Sequence, residues 1–344
     1  MGPLLSHIAH LEIMTPDLDA SVRFYVAQMG MRVVERGARQ VYLRCWGDYY
    51  RYSLILSQAT QAGLGHMAWR TVSPQALEEA ARRIEAAGAG GEWLYPQEGH
   101  GRAYRFTGPY GHVMELFWEV ERHQEDGEHR SQFPDRPARR TNHGVAPRML
   151  DHITVSAPDV RGFAQWYSET LGFRIMGYTS LDHAPVTVFG VLTTNEKSHD
   201  LGVLIDTSPV AGRVHHIAFW VDSREEHSLA ADILMEGGTD IEYGPGLHGI
   251  GEQTYLYFRE PSGLRIELNT GGYRNYVPDW QPYDWKPAQG SNNFYRNSHM
   301  PDSMLEASPP APGITGTEDG ALPGTEDALV EAASSAANPW QGHG

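Results

Sequence analysis

Cysteine is almost absent: Cys45 is the single one in 344 residues. An internal disulfide and any zinc centre built on several thiolates are thereby excluded. No run approaches the roughly 18 apolar residues of a membrane-spanning helix, and Met1-Gly2-Pro3-Leu4 leads into no charged-then-apolar signal segment. The chain is therefore expected in the cytoplasm, away from membranes. Positive charge is also scarce, with 27 Lys and Arg against 43 Asp and Glu and a formal net charge of −16. Such a surface repels nucleic acid and anionic lipid, which leaves a small molecule as the expected partner. The imbalance is strongest at the C-terminal end, where Ser303 to Gly344 holds six acidic residues and no Lys or Arg. That stretch is rich in Pro, Gly, Ala and Ser and repeats Gly-Thr-Glu-Asp at 316–319 and 324–327. It buries too little apolar surface to offset its ordering entropy, so 301–344 is expected to be a disordered acidic tail.

What is present is a chain written twice. Thr15-Pro16-Asp17-Leu18 reappears as Ala157-Pro158-Asp159-Val160, an offset of 142. From Asp159, a helix cap, Val160, Phe163, Ala164, Tyr167 and Leu171 fall on one face until Gly172 ends the helix. Leu18, Val22, Tyr25, Met29 and Gly30 repeat that pattern. A second helix matches at offset 150, with Ser73, Ile84 and Gly88 against Ser223, Leu234 and Gly238. A turn and strand match at offset 152, with Pro109-Tyr110-Gly111 against Pro261-Ser262-Gly263. Offsets that drift so little fit loop insertions within one repeated fold. The expected domains are 5–122 and 148–272, joined by a polar, proline-containing linker at 123–147. Each copy is itself a doubled βαβββ unit of the α+β class, whose strands form a curved open sheet with helices on its outer face.

Strand residues alternate faces, so parity decides which side chains can meet. His152 lies opposite in sense to Ile153 and Val155, His216 to Ile217 and Phe219, and Glu267 to Ile266 and Leu268. All three therefore point away from the aliphatic side, into the curve. Two imidazoles and one carboxylate form the ligand set that holds Fe(II) on one octahedral face, and Mn(II) suits the same donors. Parity selects His216 over His215, which is expected to be structural. The first copy places His10, His66 and Glu115 at the equivalent positions, while His7 has the wrong parity. Ligand types thus do not separate the copies, but their surroundings do. His199 is a candidate acid-base group, His248 sits in the turn Gly244-Pro245-Gly246-Leu247-His248-Gly249, and Tyr257 follows in a strand. The first copy has Tyr49 and Arg105 in place of His199 and Tyr257, and its His100 is four residues out of step with His248.

Leu150-Asp151-His152, Ser198-His199-Asp200, Val214-His215-His216-Ile217-Ala218-Phe219, the turn ending in His248-Gly249, and Arg265-Ile266-Glu267 resemble one family in order. Arg39-Gln40-Val41-Tyr42-Leu43-Arg44-Cys45-Trp46 adds to the likeness. The family is the type I extradiol ring-cleaving dioxygenases, of catechol 2,3-dioxygenase type, in the vicinal oxygen chelate superfamily. The resemblance, from Leu5 to about Tyr295, implies the glyoxalase/bleomycin resistance/dioxygenase-like fold and a non-catalytic first domain. It implies His152, His216 and Glu267 as Fe(II) ligands, His199 as the acid-base residue, and His248 and Tyr257 beside the substrate oxygens. The implied reaction is cleavage of a catechol by O2 to a 2-hydroxymuconic-semialdehyde-type product. A homotetramer or another homo-oligomer is implied too, with 273–300 covering the site or packing on a neighbour. No arginine flanks the catalytic turn; Tyr243, Leu247, Val191 and Leu192 do, so a neutral alkyl-, chloro- or aryl-catechol is expected unless Arg213 or Arg274 reaches the pocket. A metal-dependent isomerase or epimerase of the same fold, and a non-catalytic module that binds a hydrophobic ligand, remain the competing readings.

Overall fold

The computed structural model describes residues 3–293 and 300–310. Its first half runs β1 (Leu5–Thr15), α1 (Leu18–Ala27), β2 (Arg32–Arg36), β3 (Gln40–Arg44), β4 (Leu54–Gln58), β5 (Gly63–Thr71), α2 (Pro74–Ala86), β6 (Gly91–Leu94), β7 (Ala103–Thr107) and β8 (Val113–Phe117). The second runs β9 (Met149–Ala157), α3 (Val160–Leu171), β10 (Arg174–Ser180), β11 (Thr187–Thr193), β12 (Leu201–Ile205), β13 (Val214–Trp220), α4 (Glu225–Glu236), β14 (Ile241–Leu247), β15 (Gln253–Arg259) and β16 (Arg265–Gly271). Each half is thus two βαβββ modules, as the repeats predict. A short β17 (Tyr283–Trp285) follows.

Each half makes one sheet, ordered β2-β3-β4-β1-β5-β8-β7-β6 and β14-β15-β16-β13-β9-β12-β11-β10-β17. The first and last strands of every module lie parallel, and the two modules of a half join through antiparallel pairs, β1 with β5 and β9 with β13. The helix signals are realised. The Asp159 side chain accepts from the Gly162 amide, and Gly172 closes α3 at a φ of 78°, where a side chain would be strained. Alternation divides the strands as expected: Ile153, Val155, Ile217, Phe219, Ile266 and Leu268 join one apolar core that is continuous across both halves. Trp69 against Phe173, and Tyr25 against Phe219, carry it from one half to the other.

The C-terminal region is more ordered than its composition suggests. β17 adds to the β10 edge, and the Trp280 indole donates to the Met176 carbonyl. Residues 301–310, expected as part of the disordered tail, instead dock on the second sheet, with Met304 and Ala307 buried. Buried side chains on β13, just before it and on β16 bind their carbonyls: Arg213 reaches Ala307 and Pro309, His215 reaches Met304, and Arg265 reaches Ser303 and Glu306. The rest of that expected tail, 311–344, lies outside the described residues. Among the described residues no helix is long and apolar enough to cross a membrane.

Candidate metal centre and active site

Three adjacent strands, β9, β13 and β16, deliver the triad. Register pairs Ala218 with His152 on one side and with Glu267 on the other, so the flanking ligands stand beside the central strand that carries His216. The His152 and His216 Nε2 atoms lie 3.2 Å apart, and each is 3.0 Å from Glu267 Oε2. All three residues are buried. Glu267 Oε2 receives no hydrogen bond among the described residues.

Neighbouring groups decide which imidazole nitrogens carry protons. His152 Nδ1–H donates to Asp151 Oδ2 at 2.8 Å, which leaves Nε2 for the shared point. Asp151 also accepts from Asn269 Nδ2 at 2.7 Å and pairs with Lys197 Nζ at 2.6 Å. On the other side, His215 Nε2–H donates to the Met304 carbonyl at 2.6 Å, and burial holds His215 neutral. Its Nδ1 must then accept, and His216 Nδ1–H supplies the proton at 2.6 Å, so the His216 Nε2 lone pair also faces Glu267. The register shifts between Val214 and His216, and this irregularity lets His215 bond to its neighbour despite strand alternation.

Two lone pairs and a buried carboxylate oxygen at one point fit a divalent cation. Burial alone would raise the Glu267 carboxyl, but attraction to the adjacent His152, with His216 close by, holds it well below the usual range. Without a cation a proton takes its place: burial works against charge on His152, yet Glu267 and Asp151 together lift it to about 9. Metal uptake below that pH therefore releases a proton. Replacing Asp151 by Asn is expected to weaken metal binding about 10- to 100-fold with little change in the fold, checked by competition with a chelator.

His199 reaches the same point because it precedes β12, which runs parallel to β9. Its ring centroid is 4.3 Å from that of His152, and its buried Nδ1 has no partner among the described residues. Burial, then the adjacent His152, pushes its pKa well below 6.5, so the imidazole is neutral, with Nδ1 unengaged among the described residues. His248 follows β14 and donates from Nδ1 to the Asn292 carbonyl. Its Nε2 then accepts the Tyr257 hydroxyl at 3.0 Å. Tyr257 sits opposite Glu267 in the β15–β16 register, and burial followed by that carboxylate drives its pKa well above 10. All six residues predicted from sequence thus come together. Asp151, Lys197, Asn269 and the part played by His215 were missed; for Asp151 the neighbouring His152 was the available signal.

The surroundings are apolar on one flank, where Met176, Val191 and Ile250 pack with Phe189, Tyr273, Trp280 and Trp285. Leu192, expected beside Val191 at the pocket, points the other way into the core, as alternation on β11 requires. Tyr243 stacks with Tyr255 and Tyr257 over Met304. Arg213 is buried and engaged by Asp206 and two carbonyls, and Arg274 is exposed.

The first half departs from the expected twin. Its close donor group is His10, His100 and Glu115 rather than His10, His66 and Glu115. His66 turns its Nδ1 to Glu12 at 2.8 Å, and the loop between β6 and β7 brings His100 in from outside the repeat register.

A family model described as the Glyoxalase/Bleomycin resistance protein/Dioxygenase superfamily matches residues 7–116 and 149–268, one stretch in each half. The chain is 34% identical over 286 residues to a manganese-dependent 2,3-dihydroxybiphenyl 1,2-dioxygenase of Geobacillus genomosp. 3, covering 82% of this chain and 90% of that protein. It is also 34% identical to a metapyrocatechase of Geobacillus stearothermophilus, over 87% of this chain and 92% of the relative. Among solved structures, the 2,3-dioxygenase LapB from Pseudomonas sp. KL28 superposes with a TM-score of 0.76 at 26% identity, over 84% of this chain and 100% of the other. The substrate complex of homoprotocatechuate 2,3-dioxygenase from Brevibacterium fuscum gives 0.77 at 26%, over 89% and 93%. Matched in both of its halves, the chain belongs to the glyoxalase/bleomycin resistance protein/dioxygenase superfamily.

Proposed function

We propose that this protein is an extradiol catechol 2,3-dioxygenase that uses Fe(II), or Mn(II), to open a catechol ring with both atoms of O2. His152, His216 and Glu267 hold the metal. The observation that carries this reading is the convergence of two imidazole Nε2 atoms on one orphaned carboxylate oxygen at 3.0 Å, beside a neutral buried His199. Named relatives in the same superfamily, a metapyrocatechase and a manganese-dependent dihydroxybiphenyl dioxygenase, support it and leave iron and manganese both in play.

When bound, the cation supplies Lewis acidity toward the catechol oxygens and a path for electrons between ring and dioxygen. The protein's groups do the rest. His199 takes the proton of the second hydroxyl and later returns it to a product oxygen. Tyr257, whose high pKa keeps its hydroxyl protonated, has one proton to donate: to His248 in the free enzyme, and to a substrate oxygen once the hydroxyl turns from His248 in the complex. The Met176, Val191 and Ile250 flank excludes water and suits an apolar ring substituent. With Arg213 committed to Asp206 and Arg274 exposed, neither supports a substrate carboxylate. The substrate is therefore a neutral alkyl-, chloro- or aryl-catechol, and the product a 2-hydroxymuconic-semialdehyde-type acid. The exposed Tyr276, Val277 and Tyr283 on the C-terminal extension support assembly as a homo-oligomer, in keeping with a cytoplasmic enzyme.

The test is anaerobic loading with Fe(II) or Mn(II), then catechol or 3-methylcatechol, with oxygen uptake and absorbance followed together. Stoichiometric uptake with a yellow product is expected. No uptake with either metal at full loading, accompanied by turnover of an isomerase substrate, would overturn the reading. His199→Phe is expected to bind metal normally and to turn over about 10²- to 10⁴-fold more slowly; an unchanged rate would remove its assigned part.

A further inference from the structure

Ring cleavage leaves a second buried set of donors unused. His10 on β1, Glu115 on β8 and His100 from the β6–β7 loop place donor atoms within 4.8 Å of one another. Glu115 is fully buried, and His10 and His100 nearly so. Glu115 Oε1 lies 3.1 Å from His100 Nε2 yet accepts no properly directed hydrogen bond among the described residues, just as Glu267 Oε2 accepts none in the second half.

The protons again run outward. His100 Nδ1–H donates to the Gly101 carbonyl at 2.9 Å, so in its neutral form Nε2 is a lone pair facing Glu115. His66 Nδ1–H is taken by Glu12 at 2.8 Å, and Glu12 is itself anchored by Ser57 and Gln40. The remaining His66 nitrogen meets His10 Nε2 at 3.1 Å, against 3.2 Å for His152 and His216. The two halves thus share orphaned carboxylate oxygens and outward-bonded imidazoles.

They differ in what lies across from the glutamate. Arg105 occupies the register position of Tyr257, and its Nε and Nη2 bind Glu115 Oε2 at 3.0 and 2.7 Å. The guanidinium leaves only Oε1 to a metal and takes the strand position that Tyr257 holds beside Glu267 in the second half. With His100 in place of His66 the site keeps three protein donors, and a fixed guanidinium lies beside its carboxylate where the second half has a neutral phenol.

We infer that the first half binds its own divalent cation of the Zn(II) or Co(II) class through His10, His100 and Glu115, with His66 at its edge. Metal-free full-length protein titrated with Zn(II) and separately with Co(II) at neutral pH, followed by calorimetry and elemental analysis after gel filtration, tests it. Two equivalents per chain are expected, falling to one in His100→Ala and to one in Glu267→Ala, with Co(II) bands that differ between the variants. His100 lies in a loop, and His10→Gln provides a second variant should it misfold. One equivalent in the wild type and none in Glu267→Ala overturns the inference. So does a second equivalent that persists in both His100→Ala and His10→Gln. Because stoichiometry is the readout, the outcome is independent of whether a catechol is cleaved.

Discussion

Glu267→Gln is expected to abolish stoichiometric metal binding at the second-half centre and to lower oxygen uptake by more than about 10³-fold, while the fold persists. Among the described residues the carboxylate supplies the negative charge shared by both histidine Nε2 atoms, 3.0 Å from each. A glutamine keeps the shape but offers a neutral oxygen or, turned over, an amide that donates to the same lone pairs and blocks them. Metal-free Glu267→Gln should also melt lower than the metal-free parent near neutral pH, since the substitution takes the countercharge from a buried, protonated His152. Metal analysis with oxygen electrode traces checks the first expectation, and thermal unfolding without metal checks the second. Ring cleavage at wild-type rate would remove Glu267 from the metal.

The largest effect on stability is expected at Glu242. Arg265 is buried and spends all five donors: two on Glu242 at 2.8 and 3.0 Å, one each on the His215 and Glu306 carbonyls, and one on Ser303. Glu242→Ala leaves that guanidinium without a countercharge, which costs about 3 to 5 kcal/mol. Burial by itself would raise the Glu242 carboxyl, but Arg265 and then Arg259 hold it at about 2, against an ordinary value of 4.5. Because the folded-state value is depressed, the stabilisation is complete above about pH 4.5 and is lost as pH falls toward 2. Thermal midpoints of Glu242→Ala and parent should therefore differ most near neutrality and converge in acid. A gap that stays constant with pH would show that lost packing, not lost charge, is responsible. Freed from Arg265, residues 301–310 should also become more open to proteolysis, which links this ion pair to the covering of His215 by Met304.

Much of the centre was legible because strand periodicity is a local property. His152, His216 and Glu267 each stand out of phase with a run of aliphatic residues, and a duplicated chain repeats that phase. Once the aliphatic side is committed to the core, the other side follows without further information. The helix caps at Asp159 and Gly172 were legible for the same reason, since each depends on backbone bonds a few residues away.

Other features were hidden because they depend on distant segments. His100 was set aside as out of register, but it lies in a loop, where a repeat offset does not constrain where a side chain ends up. His215 was assigned a purely structural place by alternation; the register shift beside it breaks alternation and makes it the acceptor that orients His216. Residues 301–310 have the composition of a solvated tail, yet their carbonyls satisfy Arg213, His215 and Arg265, three buried donors from β13 and β16 and their flanks. Sequence alone determined the duplicated βαβββ plan and the residue types that face the inside of each sheet, because these follow from periodicity. Only the tertiary structure decided which nitrogens carry protons, which histidine joins Glu115, and what covers the centre, because these depend on hydrogen bonds between strands and segments far apart in the chain.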